Sequence, residues 1–333
     1  MPKQGGWSRT LGGLGEWGLL KKILPALSKT LSPRVLLGPG DDAALVRWGR
    51  ETMAITTDML VEGVHFRRTW GSAEDLGHKV LAVNLSDLAA MGDVEPSVGV
   101  LSAGFPSETP TAFIDGFYRG FSRLARKHGF DLVGGDTVRA DRLTFALTAL
   151  GRVRGPVFKR SGAKAGDVLM VTGTLGDAAA GLSLLEKRGE KRKSRATEFL
   201  SRRLLRPEPR LAWARRLAQI GGVTACLDSS DGFWRSVLLL GEASHVGAEV
   251  WADRLPLSAD LRTWAGDRAG EYALVGGEDY ELVFTVRPAS ARRIESLGFA
   301  RGVGRIVPAQ RGLVAYQHGR RKEVPPGFEH FNR

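Results

Sequence analysis

Acidic side chains recur beside glycines or where apolar runs end. They are Asp41 and Asp42 in "GPGDDAALV", Asp58 in "ITTDMLVEGVHF", Asp87 in "NLSDLAAMGD", Asp136 in "VGGDTVR", Asp228 and Asp231 in "LDSSDGF", and Glu278 and Asp279 in "VGGEDYEL". At such places backbone and side chain can both approach a ligand. Adjacent carboxylates raise each other's pKa unless a positive charge lies between them, so Asp41 and Asp42 either splay into water or hold a cation. Hard oxygen donors suit magnesium, which keeps several waters and binds a few carboxylates plus substrate phosphates. Any one of these aspartates would serve as a helix cap or turn residue; their recurrence points to a metal–phosphate site.

Other solutions to phosphate and metal chemistry are missing. The chain has no Gly-Lys dipeptide, hence no Walker A loop, and no His-Arg-Asp catalytic loop. Its six histidines show no metal-ligand spacing, and the single Cys226 excludes an intramolecular disulfide and a cysteine-built zinc site. Phosphoryl transfer would therefore need a different fold.

The elements that must position these groups alternate between strand and helix. "MAITTD" (53–58), "SVGVLSA" (97–103) and "LTFALTALGRV" (143–153) are rich in branched residues and bounded by turn formers. Between them, Ser72 and Asp75 have capping-box spacing ahead of Leu76, Val80, Val83 and Leu88 at helical intervals. A second helix sets Phe113, Phe117, Phe121 and Leu124 on one face, a core stripe. "RGPVFKRSGAKAGD" then separates this α/β half from further strands at "VLMVTG", "VTACLD", "YELVFTV" and "LVAY". The expected domains are residues 1–153 and 154–333.

A chain of 333 residues exceeds what one core usually spans, which also argues for two domains. Hydrophobic residues at 43% and charged residues at 25% describe a soluble globular protein. No apolar run reaches the ~18 residues a membrane span requires, and no signal-peptide core is present, so a cytoplasmic location is expected. The net charge of +12 attracts polyanions in general. It is densest between Leu185 and Arg210, where basic residues are not interleaved with aromatics, which reads as solvated surface rather than a nucleic-acid interface.

The motifs "GPGDDAAL", "ITTDMLVEGVHF", "KVLAVNLSDLAAMGD", "LVGGDT", "RSGAKAGD", "VTGTLGDAAAGL", "DSSDG" and "GGEDYEL" together resemble the thiamine-monophosphate kinases. These belong to the wider group of aminoimidazole-ribonucleotide-synthetase-like ATP-binding proteins. The likeness runs from about Gly15 to Phe331. The resemblance implies two α/β (α+β) domains, with the first pairing its sheet across a homodimer. It also implies transfer of the γ-phosphoryl of ATP to thiamine monophosphate, assisted by several magnesium ions. Carried over by position, Asp42, Asp58, Asp87, Asp136 and Asp228 would be magnesium ligands, completed by the hydroxyls or carbonyls of Thr56 and Thr57. Gly135, Asp136, Arg160 and Ser230 would meet ATP, with Arg160 neutralising phosphate charge. Asp231 would hold a further magnesium or orient the acceptor phosphate. His65, Glu278 and Phe328 would hold thiamine. Ser229 and Trp234 depart from the family pattern, and the N-terminal "MPKQGGWSRT" and the basic loop near 187–195 lie outside it. Two alternatives remain: another ATP-using member of the group, such as a selenophosphate or aminoimidazole-ribonucleotide synthetase, and a basic nucleic-acid-binding protein.

Overall fold

The computed structural model describes residues 11–29, 31–187 and 194–325. Two sheets form in succession. The N-terminal half contains α1 (Leu11–Ser28), β1 (Val35–Leu37), β2 (Ala44–Trp48), β3 (Glu51–Val61), α2 (Ala73–Ala90), β4 (Gly92–Phe105), α3 (Thr111–His128), β5 (Asp131–Arg139) and β6 (Thr144–Val157). Its six strands are ordered β1-β2-β3-β6-β4-β5. The second half contains β7 (Val168–Thr172), α4 (Asp177–Glu186), α5 (Arg195–Leu205), α6 (Leu211–Ile220), β8 (Val223–Asp228), α7 (Phe233–Ser244), β9 (Gly247–Trp251), α8 (Ala259–Ala265), α9 (Ala269–Val275), β10 (Leu282–Val286), α10 (Pro288–Ser296), β11 (Ala300–Val307), β12 (Leu313–Gln317) and β13 (Arg320–Lys322). Its sheet is ordered β13-β12-β9-β11-β7-β10-β8. Strand β6 continues to Val157, so the break between the sheets falls a few residues beyond Val153.

The first sheet has two unlike faces. One is covered by α2 and α3, where Leu60, Leu101, Phe117, Phe121, Phe145 and Leu147 are buried together. Phe117 and Phe145 stack with ring centroids 4.4 Å apart. The helices approach closely because Gly77 and Gly120 face each other's backbones: a Cβ on either would stand 1.9 Å from a carbonyl oxygen, Phe117 O or Glu74 O. The opposite face is open and partly apolar, with Met59, Val100 and Val138 exposed at 55%, 42% and 53%.

Helix α2 starts as its sequence predicts. Ser72 Oγ accepts from Asp75 N, and the Asp75 carboxylate accepts from Ser72 N. Beyond that start it is buried on nearly every side, because its far end, Ala89 and Ala90, also packs on Met170, Cys226 and Phe284 of the second sheet. Strands β7 and β10, and the edge strand β8 beside them, are covered on both faces, which is why they read as continuous apolar runs. Among the described residues no helix is long and apolar enough to cross a membrane.

Candidate active site

Four polar residues of the apolar helix α2 point out of it, and each meets a different piece of the site. Lys79 Nζ lies 2.5 Å from Glu278 Oε2. Asn84 Oδ1 accepts from Asp58 N at 3.2 Å. Ser86 Oγ donates to Asp228 Oδ2 at 2.6 Å. Asp87 Oδ2 accepts from Thr56 Oγ1 at 2.5 Å. A helix packed against both sheets thus draws β3 and β8 onto one acidic centre.

One oxygen from each of Asp42, Asp87 and Asp228 lies within 4.8 Å of the others. Asp42 is held from the far side by Arg160, whose Nη2 and Nε donate to Oδ1 at 2.5 and 3.1 Å. Its Oδ2 is buried and accepts no hydrogen bond among the described residues. Asp41 turns to the backbone N–H of Arg160 and of Asp42 instead. Burial pushes the carboxyls of Asp42, Asp58, Asp87 and Asp228 above the ordinary carboxylate range. Mutual repulsion adds to this, with Asp231 acting on Asp58 and Asp58 on Asp87. Arg160 only partly offsets the effect at Asp42. A buried oxygen without a donor, among hard anionic groups that repel each other, fits a divalent cation such as magnesium.

Beside the acidic centre opens a cavity of about 360 Å³ lined by Asp58, His65, Trp70, Ser230, Asp231, Glu278 and Tyr280. Glu16 of α1 also lines it. His65 Nδ1 accepts from Val61 N at 3.0 Å, so in the neutral ring the proton sits on Nε2. Glu278 and Tyr280 both have positive φ, 67° and 52°. Such conformations cost about 1–3 kcal/mol each outside glycine and persist only where surroundings enforce them. The segment is tied to the "DSSD" turn: Glu278 N donates to Ser230 O at 2.6 Å, and Tyr280 N to Ser229 O at 3.1 Å.

The structure therefore joins Asp42, Asp58, Asp87, Asp228, Thr56 and Arg160 at one centre, with Ser230, Asp231, His65 and Glu278 around the adjoining cavity. It does not bring Thr57, Gly135 or Asp136 there within one chain. Thr57 alternates with Thr56 and faces the open side, where its hydroxyl donates to Leu147 O. Asp136, on β5, pairs with Ser102 of β4; β5 is the far edge strand, three ladder steps from β3. That separation is about 14 Å at ~4.8 Å per strand. Phe328 lies outside the described residues.

The basic run is only partly the solvated surface its sequence suggests. Arg203 and Arg210 turn inward to the fully buried carboxylate of Glu281, and Arg206 reaches Asp75 of α2. Sequence reasoning also passed over Lys79 and Glu16. A lone lysine inside an apolar helix was the signal for the first, and none marked the second.

Residues 40–153 match the family described as AIR synthase related protein, N-terminal domain, and residues 164–316 match its C-terminal counterpart. The chain is 40% identical over 281 residues to the thiamine-monophosphate kinase of Bacillus subtilis (strain 168), covering 82% of this chain and 84% of that one. It is 34% identical over 322 residues to the thiamine-monophosphate kinase of Aquifex aeolicus (strain VF5), covering 96% and 98%. The chain belongs to the thiamine-monophosphate kinase family. A solved structure described as AaThiL complexed with AMPPCP and TMP superposes with a TM-score of 0.86 at 30% identity, covering 98% of this chain and all of that one.

Proposed function

We propose that the protein transfers the γ-phosphoryl group of ATP directly to the phosphate of thiamine monophosphate, giving thiamine diphosphate and ADP. The observation that carries this is the buried, only partly compensated acidic centre opening onto a cavity walled by carboxylates and aromatic rings. In the transfer, the bond between the γ-phosphorus and the bridging oxygen of ADP breaks as an acceptor phosphate oxygen bonds to that phosphorus. The acceptor is already ionised, so no general base is required, and catalysis is positioning plus charge neutralisation.

Asp42, Asp58, Asp87 and Asp228 would hold magnesium, with Thr56 fixing the Asp87 carboxylate. Bound there, the metal offsets the repulsion between the two anionic reactants. Arg160 adds a fixed positive charge at the same centre, and Asp231 orients the acceptor phosphate or holds a further ion. His65 would face the acceptor from the cavity wall. Glu278, oriented by Lys79, suits the aminopyrimidine donor, and Tyr280 and Trp70 suit a flat cationic ring. The cytosol, where ATP and magnesium are available, is the proposed location.

The open, partly apolar sheet face is assigned to a second copy, in a homodimer that also brings Gly135 and Asp136 to nucleotide. Mixing inactive Asp136→Asn and Asp87→Asn chains should then restore about a quarter of wild-type activity, because half the dimers carry one intact site. No recovery in exchanged dimers would place Asp136 in its own chain's site or outside the chemistry.

ATP consumption, with ADP, AMP and phosphate each quantified, measured separately with thiamine monophosphate, thiamine, selenide and formylglycinamidine ribonucleotide tests the substrate. Turnover with thiamine monophosphate alone is expected. Turnover with another acceptor would overturn the substrate and keep the metal site.

A further inference from the structure

Four consecutive residues, Glu278 to Glu281, alternate between two destinations. Glu278 and Tyr280 face the cavity. Asp279 and Glu281 are buried in the second domain, where Asp279 is 1% exposed and Glu281 fully buried.

Each buried carboxylate is fully received. Asp279 accepts from Gly176 N at 2.5 Å and Ala178 N at 3.0 Å, supplying at the start of α4 the cap its own N-terminal glycine cannot. Glu281 accepts from Arg203 Nη2 at 2.9 Å, Arg210 Nε at 2.7 Å and Thr172 Oγ1 at 2.8 Å. The backbone leaves room for that carboxylate: a Cβ on Gly173 would stand 2.2 Å from Glu281 Oε1. Arg203 Nη2 also reaches the carbonyl oxygens of Thr174 and Asp279 at 3.4 and 3.5 Å.

Left-handed backbone at both a glutamate and a tyrosine, two residues apart, does not persist on local preference. The anchors on either side of Tyr280 supply what local preference withholds. We propose that Asp279 and Glu281, clamped by the start of α4 and by Arg203 and Arg210, are positioning residues that set affinity for the acceptor by fixing Glu278 and Tyr280 in the cavity wall. This rests on the acceptor reading above. It assigns two arginines of the basic run to substrate recognition through the fold, not to a polyanion.

The test uses full-length Glu281→Gln and Asp279→Asn, with Arg210→Lys as the conservative variant. KM for thiamine monophosphate, KM for ATP, and kcat are measured, together with amide hydrogen exchange at Glu278 and Tyr280. In the anchor variants, KM for the acceptor should rise about tenfold or more, because sub-ångström misplacement of a positioning group is costly. KM for ATP should stay within about twofold, and both amides should lose protection. Arg210→Lys, which keeps the charge and loses the fork, should fall between. If Glu281→Gln does not fold, Asp279→Asn, which preserves volume and one acceptor oxygen, carries the test. Unchanged acceptor KM with unchanged exchange would overturn the proposal, as would equal rises in both KM values. Were the wild type not to use thiamine monophosphate, the substrate reading would fall, and the exchange data alone would decide whether the anchors hold the segment.

Discussion

Two groups of buried carboxylates lie on either side of the same cavity, and they are treated oppositely. In the second domain, Glu281 meets two guanidinium groups and a hydroxyl, and Asp279 meets two backbone N–H groups. At the domain junction, Asp42, Asp87 and Asp228 share one arginine and two hydroxyls, and one buried oxygen is left without a donor. Burying charge is costly unless it is paired. Burial still lifts the Asp279 carboxyl to about 7, but every carboxylate oxygen of the first group has a donor within the chain. The second, with Arg160 as its one cationic partner, keeps a buried oxygen that no donor among the described residues reaches, and the proposed metal site rests on that feature.

Neutralising one carboxylate in each group should separate them most sharply. Asp87→Asn is expected to lower kcat about a hundredfold to a thousandfold, by analogy with removing a fixed transition-state contact. The melting temperature of the metal-free variant should equal or exceed that of wild type, since a source of repulsion is gone. A lowered melting temperature with near-normal turnover would remove Asp87 from the metal site. Glu281→Gln should do the reverse, costing about 3 kcal/mol of stability by stranding two largely buried arginines, whose side chains are 12% and 13% exposed. Denaturant unfolding measures it, and no loss would mean the arginines find other partners.

A smaller effect follows from pH. Asp42 is pushed to about 7, and Asp58 and Asp228 to about 6, chiefly by burial. Their folded values lie above the ordinary 3.8, so without metal the folded chain keeps protons that the unfolded chain releases. The stability they contribute is full below about pH 4 and is lost as pH rises through about 6–7. Magnesium should therefore raise the melting temperature by several degrees at pH 8 and by less at pH 5, where it must displace protons. Equal shifts at both pH values would argue against these carboxylates as the ligands.

What the sequence revealed follows the range over which each signal acts. The Ser72–Asp75 capping box, the Phe117–Phe121 stripe and the two-sided apolar strands are local patterns, and they could be read directly. The acidic centre was legible because its members sit beside glycines or strand ends. Face and partner were not. Thr57 and Asp136 occupy motif positions, but strand alternation and sheet order place them on the open side. Arg203 and Arg210 look solvated in a basic run, because their partner Glu281 lies over seventy residues further on. The alternation of Glu278 to Glu281 depends on two left-handed residues that no local propensity announces.

The most direct test follows the terminal phosphoryl group itself. ATP labelled at the γ-phosphate is incubated with enzyme and thiamine monophosphate, with magnesium or with excess chelator. Label recovered in thiamine diphosphate, one for each ADP formed and only when magnesium is present, is the predicted result. Label released as inorganic phosphate, or transferred equally well under chelator, would contradict a metal-assisted direct transfer at this centre.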